Sequence, residues 1–135
     1  MITSANLDLV RSIFVAWERG DFRETNWAHR EIQHEFADGP NPGAFTGMAG
    51  MAEGWREFLA AWENYRVVAD EYRELDDERV LVFHHRTGRG KASGMELGEM
   101  RTGGANLLYV RDGKVTKMVI YFHRDRALAD LGLEE

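Results

Sequence analysis

The stretch NLLYVRDGKVTKMVIYF (residues 106–122) decides the fold. Its Asp112-Gly113 pair sits between two apolar runs, and both residue types accept the positive φ that a tight two-residue hairpin demands. The run before it, roughly residues 95–110, and the run after it, residues 115–122, are therefore expected to be antiparallel partners. Met118, Val119, Ile120, Tyr121 and Phe122 make both faces of the returning strand apolar, as Val80, Leu81, Val82 and Phe83 do upstream. Such strands need two dry sides. Helices can supply one, and a second subunit most simply supplies the other.

Working outward, residues 66–75 and 79–87 read as two strands joined by the polar turn Asp76-Asp77-Glu78. Six glycines between Gly88 and Gly104 predict a loose connection with bulges that bend long strands. Before Tyr65 the period is helical. Met48, Met51, Trp55, Leu59 and Trp62, with Phe58 alongside, form one stripe of a helix over residues 48–64. Thr46 is its expected cap, and Gly47, Gly50 and Gly54 weaken its start. Residues 38–47 hold both prolines and read as a loop, and residues 31–37 alternate as a short strand. Asp21 and Glu24 resemble a capping box opening a short helix through Trp27. Leu7, Val10, Phe14 and Trp17 mark a first helix over residues 4–20, with Ser4 as cap and Gly20 as stop. Residues 124–131 form a closing helical turn ended by Gly132. The order α-α-β-α-β-β-β-β predicts one α+β domain over residues 1–135, its strongly curved, mostly antiparallel sheet wrapping the helices as a cone with an interior pocket.

Composition narrows the classes. The chain has 135 residues, 17 basic against 23 acidic, no cysteine and 15 aromatics, and all four tryptophans precede residue 63. There is no basic footprint for nucleic acid and no apolar run of the ~18 residues that a membrane span needs. Without cysteine, disulfides and thiolate chemistry are excluded, and a cytoplasmic location is expected. Residues 88–94 contain Gly-Lys but lack phosphate-loop spacing and join two strands.

HREIQHEF (29–36), AFTGMAGM (44–51), KASGMEL (91–97), RDGKV (111–115), YFHRDRAL (121–128) and LGL (131–133) occur in one order over nearly the whole chain. Together they resemble the SnoaL-like branch of the nuclear-transport-factor-2-like, or ketosteroid-isomerase-like, superfamily. The resemblance implies a conical fold, a deep pocket and a homodimer through the outer face of the sheet. Its members include isomerases, polyketide cyclases, dehydratases, epoxide hydrolases and pure binding domains, so fold does not specify reaction.

Trp17, Phe36, Trp55, Leu59, Trp62, His84, Met100 and Asn106 are the expected ligand-binding residues; for the tryptophans, plain core packing is the alternative. His34 and Phe36 share a strand face. They stand where many relatives carry a tryptophan and an acidic residue, so one plausible carboxylate base is missing. Asp38 reads as a turn residue, or as the general base of the isomerase branch. Tyr121 and His123 point the same way by alternation. Relatives often have Asp at the latter place, and an imidazole can likewise move protons at neutral pH. Only one of His84 and His85 can face inward, and metal chelation by the pair from one face is excluded. The expected function is binding of a small apolar or aromatic molecule. Cofactor-free isomerisation, cyclisation or dehydration by proton transfer next to a carbonyl would fall to His123, Tyr121, His34 and Asp38. A non-catalytic binding or interaction domain is the alternative. No cofactor or metal is expected.

Overall fold

The computed structural model describes residues 4–38, 43–90 and 103–133. The elements run α1 (Ala5–Glu18), β1 (Ala28–Phe36), β2 (Gly43–Thr46), α2 (Gly47–Leu59), β3 (Trp62–Glu74), β4 (Arg79–Gly90), β5 (Gly103–Arg111), β6 (Lys114–Tyr121) and α3 (Arg124–Leu131). The six strands form one sheet in the order β2-β1-β6-β5-β4-β3. Every neighbouring pair is antiparallel except β1 and β6.

The deciding hairpin forms as the sequence dictates. Asp112 and Gly113 adopt φ of 51° and 77°, and Arg111 faces Lys114 across the turn. Ser4 caps α1, its hydroxyl accepting from Leu7 N at 3.0 Å. Val10, Ile13, Phe14 and Trp17 bury the helix's apolar face. At the other end Gly132 closes α3 in the left-handed conformation, with φ 66°.

Four local expectations are corrected. No helix forms over residues 21–27: Asp21 Oδ1 accepts from Arg23 N and Glu24 Oε1 from Asn26 N, bonds two residues ahead that make turns in place of a helix start. Trp62 belongs to β3, since α2 stops at Leu59 and Trp62 pairs with Gly90 of β4. Residues 43–46, expected as loop, are strand β2 and cover the open edge of β1. The sheet is open, with edges at β2 and β3, and is not strongly curled into a cone. It is a middle layer between helices. On one face lies the main core of α1 and α2 with Ile32, Phe36, Val82, Leu108, Met118 and Ile120. On the other, Ala127 and Leu128 of α3 pack with Leu81, Phe83, Leu107, Val119 and Tyr121. The second dry side that the doubly apolar strands require thus comes from the chain's own C-terminal helix. No helix among the described residues is long and apolar enough to cross a membrane.

Candidate functional site

A pocket of about 280 Å³ opens between α2 and the strand ends, lined by Phe36, Phe45, Gly54, Glu57, Phe58, Ala61, Trp62 and Phe122. Its walls are ring faces. Phe36 stacks on Phe58 at 5.9 Å and on Phe122 at 6.1 Å between centroids, and Phe58 lies 5.7 Å from Phe122. Such offset ring pairs are the usual packing of aromatic side chains. Gly54 has a role here beyond weakening a helix. A Cβ at that position would lie 2.9 Å from the Phe45 ring, so glycine seats Phe45 against α2.

Behind the apolar walls stand polar groups that the sheet forces inside. His34 is fully buried, with its ring 5.0 Å from Phe36 and stacked on Trp55 at 5.7 Å. Neither ring nitrogen has a hydrogen-bond partner. Burial lowers its pKa to about 4, so the imidazole is neutral at pH 7. His84 is held the same way, its pKa lowered to about 4 chiefly by burial. Its Nε2 lies 3.0 Å from Asn106 Oδ1. An amide oxygen only accepts, so the ring carries its proton on Nε2 and leaves Nδ1, which has no partner, as an acceptor. Gly104 faces His84 across the β4–β5 pair, and a Cβ there would stand 2.9 Å from His84 Cε1 and 2.6 Å from Tyr121 O. That glycine makes the room in which the imidazole sits.

Arg86 is the third buried polar group, 7% exposed. Its guanidinium lies over the Phe122 ring, 4.3 Å from the centroid, and one Nη donates to Phe122 O at 3.3 Å. Its Nε has no partner. The neighbouring Tyr65 hydroxyl is pushed well above its ordinary range by burial, an effect that the adjacent Arg86 charge opposes. With both histidines neutral, Arg86 is the one charged side chain among the described buried residues.

Of the residues expected at the site, Phe36 and Trp62 line the pocket, and His34 and Trp55 stand directly behind it. His84 and Asn106 meet as a buried pair. Trp17 is core, packed on Phe14 at 4.8 Å and on Trp55 at 5.4 Å. Leu59 faces a separate shallow depression beside Phe22 and Arg66. Asp38 ties two segments together, accepting from Phe122 N at 2.5 Å and from His123 N at 3.3 Å. Met100 lies outside the described residues.

Tyr121 and His123 are not gathered with the pocket residues. Phe122 takes the pocket side, while Tyr121 belongs to the core on the other face of the sheet. Tyr121 packs with Leu81 and Phe83, its hydroxyl pushed up to about 12 by burial and then by Asp130 of α3. His123 is exposed at the start of α3. Of the adjacent histidines, His84 is the inner one, and His85 is outside, 2.9 Å from Asp70. Arg86, Phe45, Phe58 and Phe122 were missed as site residues. Alternation put Arg86 on the same face as His84 without showing that this face is the inner one, and Phe45 needed β2, which no period announces. Among the described residues no three His, Asp or Glu side chains cluster as metal ligands.

No family model matches the chain, and no curated protein matches it. Solved structures do. TerC, co-crystallized with polyporic acid, is 20% identical with a TM-score of 0.74, the match covering 95% of this chain and 98% of that one. A protein from Jannaschia sp. CCS1, described as a SnoaL-like polyketide cyclase, is 17% identical with a TM-score of 0.72 over 90% of each chain. A ketosteroid isomerase-like protein from Catenulispora acidiphila, in complex with trimethylamine, is 18% identical with a TM-score of 0.67 over 94% of each. These likenesses establish that the chain has the α+β fold shared by SnoaL-like and ketosteroid isomerase-like proteins.

Proposed function

We propose that the chain binds a flat, largely apolar small molecule between the rings of Phe36, Phe45, Phe58 and Phe122. The observation that carries this reading is the pocket itself: about 280 Å³ of ring-walled space, with an unpartnered imidazole directly behind the wall. Apolar walls with few convergent polar groups are the usual make-up of a small-molecule site. That TerC, a structure of the same fold, was co-crystallized with polyporic acid supports this reading.

A second reading, cofactor-free proton transfer next to a carbonyl, is favoured by His34. Both of its nitrogens are unused, and a ring held neutral polarises a carbonyl by donating N–H. The same neutrality makes it a poor base, so binding is the primary reading. On the outer face, where α3 packs mainly on β5 and β6, Val68 and the Asp70–His85 pair lie towards the other edge. A homodimer would join there.

Titration with polyporic acid, followed through tryptophan fluorescence and calorimetry, tests the binding reading. Saturable binding is expected to weaken about tenfold or more in Ala61→Trp, which fills the pocket mouth, with the unfolding midpoint within ~1 kcal/mol of wild type. Binding that is unaffected by filling the pocket refutes this site.

A further inference from the structure

We infer that the ligand of this pocket is an aromatic molecule bearing an anionic oxygen, such as a carboxylate, and that Arg86 is the residue that selects it. This rests on the binding reading above and adds the charge of the guest.

Arg86 is 7% exposed, and no carboxylate among the described residues is paired with it. Its hydrogen-bond partners are one backbone oxygen and the neutral Tyr65 hydroxyl, its broad face lies on one ring, and its Nε is unused. A guanidinium cannot shed its proton to escape burial. Buried charges in proteins are ordinarily paired, because an uncompensated one costs several kcal/mol. The other buried polar side chains, His34, His84 and Asn106, bring no negative charge. Among the described residues this buried cation therefore has no counter-charge, and that role falls to the proposed guest.

The geometry puts that molecule in the pocket. Phe122 is at once a pocket wall and the ring beneath Arg86. The guanidinium carbon is 4.3 Å from one face of the ring. A guest in van der Waals contact with the other face lies ~3.5 Å further on, which separates the two charges by about 8 Å. At an effective dielectric constant of about 20, attraction over that distance amounts to about thirtyfold in affinity before the anion's own desolvation is subtracted. Within the described lining Glu57 is the one carboxylate, and it is exposed at the rim, where solvent and salt screen it. His84 and Tyr65, the other titratable groups that sense Arg86, stay uncharged around neutral pH.

The test compares three probes of one shape: 2-naphthoate, the neutral 2-naphthamide and the cationic 2-naphthylmethylamine, each titrated at pH 7.5 by calorimetry. Wild type is expected to bind naphthoate about tenfold or more tightly than naphthamide, and the amine most weakly. In Arg86→Met the naphthoate preference should vanish while naphthamide affinity changes less than about threefold. Arg86→Lys, which keeps the charge, should retain part of it. Glu57→Gln should leave the order of the three probes unchanged. Unfolding of each variant without ligand is measured alongside, and replacing an unpaired buried charge with Met is expected to leave the midpoint equal or higher. Equal binding of naphthoate and naphthamide by wild type overturns the charge assignment while leaving the pocket standing. Failure of all three probes to bind at millimolar concentration overturns both. A naphthoate preference that persists in Arg86→Met assigns the selection elsewhere and refutes the role of Arg86.

Discussion

Replacing His34 with leucine should make the protein more stable, and the gain should grow as the solution is acidified. The His34 ring is completely buried among Phe36, Phe45 and Trp55, with two nitrogens that bond to nothing. A buried polar group left unsatisfied costs about 1–3 kcal/mol, so His34→Leu is expected to gain about that amount at pH 7.5. Acid adds a second effect. In the unfolded chain the imidazole titrates at its ordinary 6.5, and in the folded chain at about 4. Above pH 6.5 the ring is neutral in both states and pH has no purchase on it. Between 6.5 and 4 the unfolded state binds a proton that the folded state refuses, so stability falls as pH falls. With about 1.4 kcal/mol per unit, the loss is about 2 kcal/mol at pH 5 and about 3 kcal/mol once the pH is below 4. The assay is urea unfolding of wild type and His34→Leu at pH 7.5, 6 and 5. The gap between them should widen by about 2 kcal/mol from first to last, with equal denaturant slopes. His84 titrates over the same window, so the variant keeps a residual slope of its own. A gap that stays constant across the series, or an NMR titration of His34 near 6.5 in the folded protein, would refute the reasoning.

Gly104→Ala should destabilise by about 1–3 kcal/mol, because its methyl group would enter the space of Tyr121 O and the His84 ring; retention of wild-type stability and an unshifted His84 resonance would contradict the packing. Sedimentation at micromolar concentration is expected to show a dimer that dissociates on His85→Glu, which sets a second acid beside Asp70; a monomeric wild type removes the outer-face interface.

What the sequence made legible follows from how local each signal was. The Asp112-Gly113 turn, the Ser4 cap and the Gly132 stop are decided by a few neighbouring residues, and each forms as read. Alternation also put His84 and Arg86 on one face correctly, though it gave no sign of which face was inner. The misreadings arose where distant partners decide. Asp21 and Glu24 satisfy a capping pattern, yet each bonds two residues ahead because no apolar stripe follows to hold a helix. Trp62 fits the stripe of α2 by spacing and is drawn off by Gly90, 28 positions away on β4. Tyr121 was read with the site, but it packs in the core on the other face, because Phe122 is the residue that stacks on Phe36 and Phe58. The pocket was legible as a class of feature, an aromatic-rich interior. Its membership was not, since Phe45 arrives on a four-residue strand that exists only by pairing with β1.

The parallel contact of β1 with β6 sets the order in which the chain is completed during its synthesis. His34, Glu35 and Phe36 pair with Met118, Val119 and Ile120, so the first strand to emerge from the ribosome waits for the last before it is flanked on that side. Until then β1 has only the short β2 to lean on, and the ring faces of Phe36 and Trp55 lack their final cover. The β3–β4 and β5–β6 hairpins can close as they appear, whereas the N-terminal third must be held out of trouble until the sheet arrives. Nascent-chain yield is therefore expected to depend on what shields residues 28–59 in that interval, and truncation just before β6 should leave a chain that aggregates through its first strand.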